Sequence, residues 1–247
     1  MTLDARRHGR RLWRIATLAS LVSTAALVGC SDSIGASDDS YAVLFDFSSD
    51  YQGWVAGFVD YPVGKEAEWG IGSSLAPLPA PLDPARKGIL LTGANHSDDL
   101  FMYITREGPT LEPNASYVVR YRVTVATNAP KNCAGIGGAP GESVVLKVGA
   151  TPEEPARIVD AAQYYRANFD HGSQLAGGRD ALPVGNIANS NTDCAVPRYE
   201  LKQFDSAPLT IATSASGRLW LVVGVDSGFE GTTAVYITSV KVAITPA

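Results

Sequence analysis

The chain has 247 residues, of which 45% are hydrophobic, enough for a packed core, and this excludes wholesale disorder. Only 18% are charged, while 24 glycines and 15 prolines favour turns, a profile of exported β proteins rather than helical cytosolic enzymes. The net charge of −5 argues against a nucleic-acid surface.

The first segment reads as an address. Arg6, Arg7, Arg10, Arg11 and Arg14 precede an apolar run over 15–29 that ends at Cys30. The run is too short and too rich in Ala and Ser for a membrane span, so residues 1–29 form the charged and apolar regions of a secretory signal. Leu27-Val28-Gly29-Cys30 resembles the lipobox of bacterial lipoproteins. That resemblance implies a diacylglyceryl group on the Cys30 thiol, cleavage just before it, and a bilayer as partner. Several acyl chains anchor far more strongly than one. Ser31 in the second mature position implies an outer-membrane address in a Gram-negative host. Arg10-Arg11-Leu12-Trp13 also loosely resembles a twin-arginine export signal, with Gly9 where Ser or Thr is usual, so both export routes stay open. Loss of residues 1–29 leaves a chain more acidic than the whole, repelled by anionic lipid and held at the membrane by its anchor alone.

Residues 30–40 carry the lipidated cysteine and a small, polar, acidic tether. Cys133 and Cys194 remain, both in turn-like sequence. In an exported protein such a pair is expected as a disulfide between two loops, against the alternative of two buried thiols.

From Tyr41 to Ala247 the apolar period is two, and one domain is expected. Tyr117, Val119, Tyr121, Val123 and Val125 face one way, and Arg120, Arg122 and Thr124 the other. A second alternating run covers 235–242. Further strands are expected at 42–47, 88–94, 100–105, 143–149, 199–204, 208–213 and 218–225, the last apolar enough to be central. Clusters of Gly, Pro, Asn and Asp separate them. The best short helix candidate is 159–169, and 50–87 and 166–197 stand out as long loops. These elements predict an all-β fold, a two-sheet antiparallel β-sandwich of jelly-roll type.

FDFSSDYQGW near the start and the final VYITSVKVAI resemble the first and last strands of galactose-binding-like and carbohydrate-binding jelly rolls. GFVDYPVG, NHSDDLFMYI, PGESVVLKVGA and LWLVVGVDSGFEGTT are similar to an uncharacterised family of bacterial lipoproteins. That family carries no established activity, so the resemblance implies fold and location.

Three groups of residues are candidates for chemistry. Asn95, His96, Asp98 and Asp99 sit at a turn between strands and offer amide, imidazole and carboxylates to sugar hydroxyls, or simply cap a turn. In 51–69, Trp54 and Phe58 are expected in the core, while Tyr61 and Trp69 are expected exposed, as platforms for sugar rings. Tyr164 and Tyr165, near Asp170, His171 and Gln174, form a second aromatic candidate. Asp226 and Glu230, with Asp46, are candidate oxygen ligands for a structural Ca²⁺; the resemblance to sugar-binding jelly rolls implies such a site, but Ser239 stands where those families carry an acid. No nucleophile elbow, zinc-protease motif or phosphate loop is present, so an enzyme is not expected. The expectation is a lipid-anchored envelope protein, outside the cytoplasm, whose sandwich binds a glycan. A partner-docking lipoprotein is the alternative, and a glycan hydrolase using His96, Asp98 or Glu230 a further one.

Overall fold

The computed structural model describes residues 40–97 and 99–247, so the signal segment, Cys30, the tether up to residue 39 and Asp98 lie outside the described residues. The strands are β1 (Tyr41–Asp46), β2 (Val55–Val59), β3 (Tyr61–Pro62), β4 (Gly72–Pro77), β5 (Lys87–Ala94), β6 (Phe101–Glu107), β7 (Ser116–Thr127) and β8 (Val144–Thr151). They continue with β9 (Arg157–Val159), β10 (Tyr164–Ala167), β11 (Ala181–Asn186), β12 (Glu200–Asp205), β13 (Leu209–Ala212), β14 (Trp220–Ser227) and β15 (Thr232–Pro246). Among the described residues there is no helix.

Two antiparallel sheets form the sandwich. One runs β12-β7-β15-β5-β4, with β1 added to β15 and β13 to β7; the other runs β11-β8-β14-β6-β2. The chain crosses between them repeatedly, from β5 to β6, β6 to β7 and β7 to β8, as in a jelly roll. The inward rows are those the alternation marks: Tyr117, Val119, Tyr121, Val123 and Val125 of β7 meet Leu221, Val223 and Val225 of β14 in one core. Burial of each such Val or Leu contributes about 1.5–3 kcal/mol. In β15 the phase changes. A bulge between Ile237 and Ser239 in its pairing with β7 moves the core-facing positions from Val235 and Ile237 to Val240, Val242 and Ile244. Trp54 also belongs to this core, edge-on to Phe45 and Phe47, and Phe58 packs half-buried against it.

The helix expected over 159–169 is instead a β-hairpin, in which β9 and β10 pair. The Asp160 carboxylate accepts hydrogen bonds from the amides of Ala162 and Tyr164, and Gln163 takes a positive φ of 61°, so the chain reverses where a helix would continue. β10 also pairs with β3, giving a third, three-stranded sheet of order β3-β10-β9. The two stretches read as long loops contain β2, β3 and β4 in the first and β11 in the second. Cys133 and Cys194 are bonded, with S–S 2.03 Å and Cα–Cα 5.8 Å, tying the loop after β7 to the loop before β12.

Candidate functional site

Because side chains alternate, one face of the five-stranded sheet lines the core and the other points away from it. Strand register sets the rows of that outer face. Gly57 lies opposite Tyr103, which lies opposite Gly224, which lies opposite Lys147; the next row is Val55, Thr105, Val222 and Gly149. The two glycines have a packing reason. A Cβ at Gly57 would come 2.3 Å from the Tyr103 ring, and one at Gly224 would come 2.7 Å from the Tyr103 Cβ, so only glycine lets the ring lie across the strands.

Part of this face is open as a groove of about 650 Å³. Val55, Tyr103, Thr105, Glu107 and Trp220 of the sheet line it, together with Glu154 and Pro155 from the segment after β8. Trp220 is half-buried, and its indole N–H is unpaired. Arg218 lies over the Trp220 ring, 5.4 Å from its centroid, and donates to Glu107 at 2.6 Å. Arg106 donates to the Gln52 carbonyl at 2.9 Å with its guanidinium over Phe45. Arg106 and Arg218 are thus already engaged, the latter with Glu107, while Glu154 is exposed. A partly apolar, aromatic-floored groove with oriented polar rim groups suits a ligand with flat hydrocarbon faces and hydroxyl edges.

The rest of the outer face is covered. Val59, Phe101, Tyr103 and Val222 form a second apolar cluster, closed by Phe169 from the loop between β10 and β11. Beside it lies a buried charge cluster. The Lys147 ammonium, fully buried, donates to Asp226 at 2.7 Å and to the carbonyls of His171 and Ala176 at 2.8 Å each. His171 stacks flat on Phe101, with centroids 4.3 Å apart and planes 12° apart. Its Nε2 is 3.2 Å from Asp60 and its Nδ1 3.6 Å from Asp226. Arg166 bridges Asp60 and Asp160. Asp99 completes the group: burial first, then the charges of Asp60 and Asp226, raise its carboxyl to about 7. Burial alone would lower the His171 value, but its contacts with Asp226 and Asp60 outweigh that and raise it to about 9. With Asp99 neutral and His171 charged, Asp60, Asp160 and Asp226 balance Lys147, Arg166 and His171.

The residues singled out from sequence fall in different places. Tyr61 and Trp69 are buried, not exposed. Tyr61 packs against Trp69 and Tyr165, and its hydroxyl accepts from Arg157 at 2.7 Å, so this aromatic cluster is spent on packing. Tyr165 lies under Arg157 and Tyr164 under Arg166, both half-buried. Asn95 is buried and holds the Ser227 carbonyl at 2.7 Å, a structural role. His96 is exposed, edge-on to Trp69. Asp98 lies outside the described residues, and Asp99 faces away from the turn into the charge cluster. The calcium set is not assembled: among the described residues no group of three or more His, Cys, Asp or Glu could hold a metal ion. Asp226 is committed to Lys147, and Asp46 accepts from Ser48 in its own turn. Sequence reasoning missed Asp60, Lys147 and Trp220. The signal for Lys147 was a lysine inside Val144-Val145-Leu146-Lys147-Val148, which demands a buried counter-ion.

No family model and no curated protein sequence matches the chain. Solved structures resemble it at low identity. One is the CBM22-1 xylan-binding domain of Xyn10C from Paenibacillus barcinonensis, 12% identical, covering 83% of this chain and 94% of that one, with a TM-score of 0.37. Another is the K3 cleaved adhesin domain of Lys-gingipain from Porphyromonas gingivalis, at 13% identity, 83% and 98% coverage and a TM-score of 0.37. A third is the mannan-recognising carbohydrate-binding module TmCBM27, at 11%, 83% and 97%, with a TM-score of 0.34. At such scores the likeness does not carry a ligand across.

Proposed function

We propose that this β-sandwich binds a neutral glycan in the groove on the outer face of its five-stranded sheet. The observation that carries the reading is the groove itself, lined by the Trp220 ring together with Glu107 and Glu154. A pyranose presents a C–H face to an aromatic ring and hydroxyls to the carboxylates around it. The exposed Glu154, beside a Glu107 whose charge Arg218 balances, disfavours uronic acids and other anionic sugars. The lipobox-like Leu27–Cys30 supports a further part of the proposal, that the sandwich is displayed on a bacterial envelope by a lipid anchor.

The test is a glycan array probed with the domain from Ser40 onward. Saturable binding to neutral oligosaccharides, weakened by Trp220→Ala, is expected. A folded protein that binds no neutral glycan at millimolar concentration overturns the proposal. The partner-docking alternative has its own observation, the exposed Ile158 and Val159 on edge strand β9, and gains weight in that event.

A further inference from the structure

The loop between β10 and β11 is held onto the sheet by side chains that have little reason to be there if the loop is only a connection. Phe169 plugs the apolar strip, edge-on to Tyr103 at 5.4 Å. His171 lies flat on Phe101. Lys147 reaches up from β8 to clamp two carbonyls of the loop. The loop is tied at its ends, by the Asn168 amide to the Ala156 carbonyl and by the Asp180 carbonyl to the Ala150 amide. Between those ties it carries Gly172, Gly177 and Gly178. Beneath it, Phe101 and Tyr103 are stacked, with centroids 5.3 Å apart, and Tyr103 also lines the open groove.

We propose that residues 168–179 are a lid, and that in the closed form the His171 ring occupies a second, covered sugar subsite on Phe101 that continues the groove. The flat stack of imidazole on Phe101 is the arrangement a pyranose takes on an aromatic face. Around that place Asp60 Oδ2 lies 3.2 Å from His171 Nε2, and Asp226 Oδ2 lies 3.6 Å from His171 Nδ1. Buried polar atoms are ordinarily paired, and when the His171 ring leaves, sugar hydroxyls entering under the lid would take its place beside these carboxylates. The assignment of the subsite to a sugar rests on the glycan reading above; the lid does not.

The charges facing His171 come from every element around it: Asp60 after β2, Asp99 before β6, Lys147 on β8, Arg166 on β10 and Asp226 on β14. On the loop itself Asp170 bonds the amides of Gly172 and Arg179, and Arg179 pairs with Asp180. The clamp is balanced while Asp99 is neutral and His171 is protonated; above about 7 Asp99 already adds a carboxylate. Loss of the His171 proton, on passing about 9, leaves the carboxylates in excess and frees the lid.

Hydroxyl-radical footprinting of the full chain at about pH 6 and about pH 10 tests this without a ligand. Oxidation of Phe101, Tyr103 and Phe169, normalised to the buried Phe47 and Tyr121, is expected to rise severalfold at the higher pH. His171→Gln is expected to show that raised oxidation at both values. Unchanged oxidation of Phe101 and Tyr103 in the wild type, or a rise in step with Phe47 and Tyr121, overturns the lid, whether or not the variant folds. A lid that opens while no glycan binds leaves the lid standing and removes the sugar assignment.

Discussion

Replacing Asp99 with asparagine should stabilise the protein in mildly alkaline solution and do so less in mild acid. Burial and the neighbouring Asp60 and Asp226 raise the Asp99 carboxyl from 3.8 to about 7. The folded state therefore holds this proton more tightly than the unfolded chain. The stability linked to it is complete below 3.8 and is lost as pH rises through about 7. A shift of about three units at ~1.4 kcal/mol each sets a ceiling of about 4 kcal/mol. Solvent screening and coupling at this half-buried site reduce it to on the order of 2 kcal/mol. Asparagine carries no proton to lose. At about pH 8 the variant should exceed the wild type by roughly that amount, a rise of about 4–8 °C in Tm for a domain of this size. His171 adds a second fall, between 6.5 and about 9, in both proteins, and the charge of Asp99 couples to it. Urea denaturation of both at about pH 5 and about pH 8 measures the effect. A variant that loses as much stability between the two conditions as the wild type refutes the reasoning.

Other consequences follow from the same structure. Lys147→Met should cost about 3–5 kcal/mol, because it strands the buried Asp226 carboxylate. The double variant Lys147→Met with Asp226→Leu should recover most of that loss in denaturant midpoints, and no recovery contradicts the pairing. Removing the Cys133–Cys194 bond, which spans a sequence separation of 61, should cost about 4 kcal/mol in urea titrations with and without reductant. Cys30→Ala should abolish labelling by a radioactive fatty acid in the producing cell, and persistent labelling removes the lipid anchor from the proposal.

The architecture was legible where strands were long and apolar. The regular alternation of β7 marked its buried row, and the continuous apolar run of β14 marked a strand in the middle of its sheet. What escaped were short strands built from Gly, Ser, Pro and Ala. The compositions of Gly72–Pro77 and Ala181–Asn186 say turn, and Val55–Val59 is short and broken by Ala56 and Gly57; each forms by pairing, with β5, β8 and β6 respectively. The candidate site was less legible for the same reason. Tyr61 and Trp69, set among glycines and charges, look exposed in one dimension, but β3 pairs with β10 and brings Tyr165 and Arg157 over them. Trp220 lies in the apolar run over 218–225, which reads as a central strand. Register places Trp220 on the outward row, opposite Glu107 and Thr151.

The groove claim is tested most directly by titrating the best neutral oligosaccharide from the array into three proteins: wild type, Trp220→Ala and Trp69→Phe. Calorimetry reads all three affinities. Trp220→Ala should bind at least about tenfold more weakly, a loss of ~1.4 kcal/mol or more, with Trp69→Phe close to wild type. Full affinity in Trp220→Ala, or a loss confined to Trp69→Phe, would place the sugar away from the groove and contradict the account.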